Sequence, residues 1–385
     1  MTETEPNPLE ALHAAGQSIW YDNIRRGLLT SGEMQRLIDD DFVTGITANP
    51  TIFDKAIEGS SDYDVAIQDL AGRGLSDIQV YERLATDDVR AAADLFRPVY
   101  ERTNGADGFV SIEVSPKLAH DTNGSIEEAK RFWAVIDRPN IFIKIPGTPE
   151  GYGAIEELLA EGLNVNITLL FSVEAYDQVV EAYLKALERR MNAGQPVDRI
   201  ASVASFFVSR IDTLVDKLIE DKLEQSTDEG QQEVFRGLLG KVAIANAKIA
   251  YEHFLKAFGS DRFARLRAAG ARVQRPLWAS TSTKNPAYRD VMYVEALIGP
   301  DTVDTMPPQT IVAFRDHGKV ARTVDSGLEQ AHAVMADLEK SGIDMAEVTA
   351  QVLQEGVKSF EDSFAELASA IDGKLGALAK GAAGR

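Results

Sequence analysis

Eight short runs of apolar or alternating residues recur along the chain: QSIWYD, VTGITANP, GFVSIEVSP, NIFIKIPG, LNVNITLLFS, IASVASFFVS, RPLWASTST and TVDTMPP. Such runs, rich in Val, Ile and Phe, read as strands, and the amphipathic stretches between them read as helices. Helical spacing covers Asp87 to Arg102, Glu150 to Glu161, Val173 to Ala193 and Gln232 to Ala257, with Asp or Ser near the starts. Strands alternating with helices build a parallel sheet, either open and doubly wound or closed on itself. Eight units in a row without a nucleotide-binding glycine fingerprint favour closure. The pattern therefore predicts one α/β domain over 1–385, a (β/α)8 TIM barrel with additional helices. The additions expected are an N-terminal tail or helix over 1–16, a helical insertion over 211–272 between strands six and seven, and C-terminal helices over 326–385.

Sixty acidic residues against 40 basic ones give a formal charge of -20 without a basic stripe, which argues against nucleic acid or an anionic membrane as a partner. An anionic substrate would have to be met by a few local cations acting within a screening length of about 10 Å. The absence of cysteine excludes disulfides, thiolate metal sites and a cysteine nucleophile. Five scattered histidines, His13, His120, His253, His317 and His332, form no HxH or HExxH pair, so no metal site is expected. The start MTETEPNPLEALHAAG lacks the basic flank and apolar core of a secretion signal, and no apolar stretch approaches the roughly 18 residues of a membrane span. A cytoplasmic location is the resulting expectation.

In a parallel barrel the chemistry gathers at the carboxyl ends of the strands, so polar residues late in apolar runs are the candidates. Lys144 follows Ile141, Phe142 and Ile143 in NIFIKIPG and shares a strand face with Phe142. Desolvation in such walls favours the nucleophilic amine, although a strand-end lysine taken alone more often packs its stem and extends its ammonium to water. Alternation puts Ser111, Glu113 and Ser115 on one face of VSIEVSP, and Asn164, Asn166 and Thr168 on one face of LNVNITLLFS. Amides and hydroxyls there could hold sugar hydroxyls or form a satisfied polar layer inside the barrel. Asp22, Thr47 and Asn49 end two more runs, where an Asp or Asn also serves as a turn or helix cap. Ser205 and Phe207 share a face of the sixth run, Arg210 follows it, and the seventh ends in hydroxyls and Lys284. Hydroxyls and cations after late strands match the phosphate pocket of many barrels, while an arginine beside Asp212 can instead form an ordinary ion pair.

Taken together, TANPTIF, VSIEVSP, FIKIPGTPEG, LNVNITLLFS, ASFFVSRID and WASTSTKNP resemble the successive blocks of the transaldolase family, in order, from about Gln17 to Met306. The extra helical region is similar to that of the larger bacterial members. The resemblance implies a cofactor-free enzyme that moves a dihydroxyacetone unit between sugar phosphates through a Schiff base on Lys144. It further implies that Glu113 and Thr168 hold a proton-relaying water and that Asp22 takes the proton of the C4 hydroxyl. Asn49, Asn166 and Ser205 would hold the three-carbon unit, and Arg210, Ser280 and Lys284 its phosphate. Some members carry an arginine two residues after Ser280, where this chain has Ser282, so Lys284 stands in a departing position. Phe207 occupies the place at which the shorter fructose-6-phosphate aldolases carry a tyrosine, which favours transfer over simple aldol cleavage. The alternatives are such an aldolase or a catalytically silent phosphosugar-binding barrel. Small sugar phosphates are the partners expected, for a monomer or homodimer.

Overall fold

A computed structural model describes residues 7–383 of the chain, and the side chains only as far as residue 375. Eight parallel strands close into a barrel in sequence order: β1 Gln17–Tyr21, β2 Val43–Ile46, β3 Phe109–Glu113, β4 Ile141–Pro146, β5 Val165–Leu170, β6 Ser202–Phe207, β7 Arg275–Ala279 and β8 Thr302–Met306. Each of the eight runs supplies one strand, and β8 closes on β1 with Gln17 opposite Thr302 and Tyr21 opposite Met306. The fold is a (β/α)8 TIM barrel. Among the described residues no helix is long and apolar enough to cross a membrane.

Period-2 alternation stacks the barrel interior in layers. The lower layer is aromatic: Phe142 lies 4.4 Å from Phe109 and 5.8 Å from Trp20, centroid to centroid. Gly45 on β2 admits the indole, because a Cβ there would come within 2.6 Å of the Trp20 ring. Two residues further up β4 the same face carries Lys144, so the apolar layer forms a dry floor beneath the polar one.

Helices wrap the barrel, and their starts follow local chemistry. Thr148 caps Pro149–Glu161 and Ser172 caps Val173–Asn192, each side chain accepting a backbone N–H. Two expected helices differ. The one anticipated from Asp87 begins at Asp77, where Ser76 and Gln79 form a capping box that nucleates it earlier. The stretch anticipated as one helix from Gln232 to Ala257 is two, Glu229–Leu238 and Val242–Phe258. Gly240 breaks it in the left-handed region at φ +68°. Its N–H donates to Asp216 (3.0 Å) and that of Ala243 to Asp212 (2.7 Å), both on the helix Ser209–Gln225. Asp212 also accepts the Tyr293 hydroxyl at 2.9 Å, so it caps and braces the insertion rather than pairing with Arg210.

Four helices thus lie between β6 and β7, the fourth being Asp261–Ala268. After β8 and the helix Pro308–His317 come Leu328–Lys340 and the long Met345–Ala383. The latter runs past the carboxyl ends of the strands: Ser363 accepts the Thr51 hydroxyl at 2.7 Å, and Phe364 meets Tyr81 edge-on at 5.6 Å. Of the expected N-terminal piece the structure has the helix Pro8–Ala14, capped by Asn7, while residues 1–6 lie outside the described residues.

Candidate active site

Register brings the central side chains together. Glu113, Lys144 and Asn166 are neighbours across β3, β4 and β5. Lys144 Nζ donates to Glu113 Oε2 at 2.9 Å and to the Ala48 carbonyl at 3.3 Å. Both side chains are buried, and Glu113 Oε1 has no partner among the described residues. Burial pushes the Glu113 carboxyl above the usual carboxylate range, against the pull of the Lys144 ammonium. A lysine whose stem is packed and whose ammonium is in water is therefore not what the barrel contains.

Asp22 follows β1 and accepts the Thr47 hydroxyl at 2.7 Å. Burial raises its carboxyl too, opposed by that hydrogen bond and by the positive charges of Lys144 and Lys284. Asn49 combines both roles open to it. Its Oδ1 caps the helix Pro50–Glu58 by accepting the Ile52 N–H at 2.9 Å, and the residue also lines the pocket. Across the barrel Ser205 Oγ donates to Asn166 Oδ1 (2.6 Å) and Asn166 Nδ2 to Ser111 Oγ (3.1 Å), a chain that fixes the amide's orientation. Thr168 Oγ1 is buried without a partner among the described residues. Asn164 does not join this group: its amide bonds the carbonyls of Pro139 and Ile141 and the Ala201 N–H at the opposite end of the strands.

The remaining wall is cationic. Arg210, at the start of the helix after β6, stacks against Phe207, and Phe207 lies 5.2 Å from Phe171. Burial lowers the Arg210 proton affinity, opposed by the fields of Glu355 and Glu113. Lys284 donates to Ser282 at 2.9 Å; burial, and then Arg210, lower its proton affinity. Ser280 stands at φ +58°, a strained conformation for a residue with a Cβ. Its hydroxyl shares a 2.8 Å hydrogen bond with Ser209, and its carbonyl accepts the Ser209 N–H at 3.1 Å. These contacts hold the turn after β7 against the start of the Arg210 helix.

One pocket of about 190 Å³ is lined by the candidates named from the sequence except Glu113, which stands behind Lys144, and Ser111, Ser115 and Asn164, the strand-mates of Glu113 and Asn166. Thr305, Pro307, Gln309 and Phe360 also line it and were not singled out from the sequence. Polarity late in the eighth run and just after it could have suggested Thr305 and Gln309. Nothing local marks Phe360, which arrives on the C-terminal helix.

A closed parallel barrel holding a buried, ion-paired lysine at the carboxyl ends of its strands defines a class equipped for amine–carbonyl chemistry. A profile of the transaldolase/fructose-6-phosphate aldolase family matches residues 19–371. The chain is 48% identical to a transaldolase of Trichodesmium erythraeum over 371 residues, covering 96% of this chain and 98% of that one. Similarity is equal to transaldolases of Acidothermus cellulolyticus (48%, covering 96% and 97%) and Saccharopolyspora erythraea (48%, covering 97% and 99%). The chain belongs to the transaldolase/fructose-6-phosphate aldolase family of enzymes.

Proposed function

We propose that this chain is a transaldolase of the pentose phosphate pathway. It moves a dihydroxyacetone unit from sedoheptulose 7-phosphate or fructose 6-phosphate to glyceraldehyde 3-phosphate or erythrose 4-phosphate. The observation that carries the reading is the buried Lys144–Glu113 pair at 2.9 Å on the floor of a pocket with a hydroxyl and amide wall and a cationic wall. Full-length similarity to transaldolases supports it.

Lys144 must present a neutral amine to the ketose, and Glu113 Oε2, 2.9 Å from Nζ, is placed to take its proton. The amine then adds to the ketose C2 carbonyl, and loss of water from the carbinolamine leaves a protonated Schiff base. Glu113 Oε1 and Thr168 Oγ1, both buried and unpartnered, suit the proton-relaying water of that step. Asp22 takes the proton of the C4 hydroxyl as the C3–C4 bond breaks, and the bond's electrons pass into the iminium. The aldose phosphate departs. The carbanion equivalent on Lys144 then adds to an acceptor aldehyde, Asp22 returns a proton to the new hydroxyl, and water hydrolyses the product Schiff base to free the new ketose and the Lys144 amine. Asn49, Asn166 and Ser205 hold the hydroxyls of the three-carbon unit, and Arg210, Ser280 and Lys284 bind the phosphate. Phe207 contributes no hydroxyl beside the intermediate, which disfavours its protonation and release as in the aldolases.

Intact-mass spectrometry after incubation with fructose 6-phosphate and borohydride, followed by peptide mapping, tests the reading. A reduced dihydroxyacetone adduct on Lys144 is expected, and with erythrose 4-phosphate the unit should be transferred rather than released. Sugar-phosphate binding with no labelled lysine would leave the silent barrel as the better account.

A further inference from the structure

Most arginines in this protein meet carboxylates: Arg131, Arg189 and Arg262 each grip two. Arg210 is different. It forms neither a salt bridge nor a side-chain hydrogen bond with any described residue, and its guanidinium carbon instead lies 5.5 Å from the Phe207 ring and 5.9 Å from the Phe360 ring. Phe207 belongs to the barrel, but Phe360 sits on the C-terminal helix, four residues after Gly356 and four before Phe364, so the three share one helix face. Gly356 lets that face approach: a Cβ there would lie 3.2 Å from Arg210 Nη1 and 3.0 Å from Leu169 Cδ2. Beyond Phe364 the helix is fixed by the Lys374–Asp64 ion pair at 2.7 Å.

A carboxylate partner would orient Arg210 at the expense of its donors and its charge. Aromatic rings act on the guanidinium through their faces, so the in-plane N–H groups remain available to an oxyanion. We infer that the C-terminal helix, through Phe360 and the close approach at Gly356, aims Arg210 at the substrate phosphate. Phe360 is then a positioning residue for phosphorylated over unphosphorylated ketoses. The inference rests on Arg210 binding that phosphate as proposed above.

Two substitutions separate the ring face from simple bulk. Phe360→Leu keeps an apolar filler but removes the π face, and Phe360→Tyr keeps the face. In Phe360→Leu the ratio of kcat/KM for fructose 6-phosphate to that for fructose should fall roughly three- to thirty-fold, mostly through KM. The calorimetric Kd for inorganic phosphate should weaken by a similar factor, and Phe360→Tyr should restore both. Gly356→Ala, which crowds Nη1, should shift both in the direction of the leucine variant. A wild-type ratio and phosphate Kd in a folded Phe360→Leu protein would overturn the inference. Phosphate binding needs no turnover, so it decides this even if no ketose is trapped on Lys144, an outcome that would instead count against the transaldolase reading.

Discussion

At the amino-terminal end of the strands Asp107 is saturated: it accepts from Trp20 Nε1 (2.8 Å), the Ser18 hydroxyl and the Gly108 N–H (3.1 Å), and Arg275 stands 3.6 Å away. At the carboxyl end, among the described residues, Glu113 meets one cation and keeps a bare oxygen, Thr168 has a bare hydroxyl, and Arg210 has no carboxylate. The lower end has unpartnered atoms as well, but those of Gln17, Asn140 and Gln274 are amide oxygens whose NH2 groups are all bonded. Buried charge at one end is therefore neutralised within the protein, while at the other it is left partly unsatisfied. The first arrangement closes a barrel; the second leaves free energy to be gained when a ligand arrives.

Lys144→Met tests the upper end most severely, because it keeps the volume and removes the amine. Turnover should fall on the order of 10⁴-fold or more, measured in a coupled assay, in a protein that still folds. Glu113 then stands without its cation, its carboxyl already raised by burial. A native carboxyl that holds a proton the unfolded chain has released loses stability as pH rises, so the variant's stability deficit should shrink as pH is lowered. Undiminished turnover would erase the functional difference between the ends.

Asp107→Ala probes the lower end in the opposite sense. It leaves Arg275 and Trp20 short of a partner and should cost about 3–5 kcal/mol in denaturant unfolding, with kcat of the folded fraction little altered. Preserved stability with lost turnover would invert the comparison.

Asp304 on β8 belongs to the barrel wall, where Oδ1 accepts the Thr281 hydroxyl at 2.7 Å, Oδ2 has no partner among the described residues, and burial pushes the carboxyl up to about 7. Its contribution should lower stability by about 2–4 kcal/mol as pH rises from about 4 to about 7, because the unfolded state ionises first. Asp304→Asn should flatten that part of the profile, and an unchanged slope would show the carboxyl to be ionised when folded.

The smallest effect concerns Asn49, which caps a helix and lines the pocket. Asn49→Ala should cost about 1 kcal/mol as the cap is lost. Asn49→Asp should restore that stability, since its carboxylate can still cap, but not ketose affinity, since the amide donors are gone. Equal recovery of both would assign the residue to the helix alone.

Much of the site could be read along the chain because it lies on strands. Alternation put Lys144 on the face of Phe142 and aligned Glu113 with Ser111, and barrel closure made both faces interior. The pairing of Asp107 was not legible, since the residue sits in a loop and its partners come from β1 and β7. The break at Gly240 was missed because helical spacing continues through it, while the acids that stabilise the break lie on another helix.

By itself, the sequence determined the eight strands, that helices alternate with them, and the face of each strand on which Lys144 and Glu113 lie. These follow from backbone periodicity and from caps within a few residues, which are local properties. Only the tertiary structure decided which lysine meets which carboxylate, which arginine is left without one among the described residues, and that Phe360 lines the pocket. Those outcomes depend on packing between segments far apart in the chain, where burial and the supply of partners are set by the whole fold.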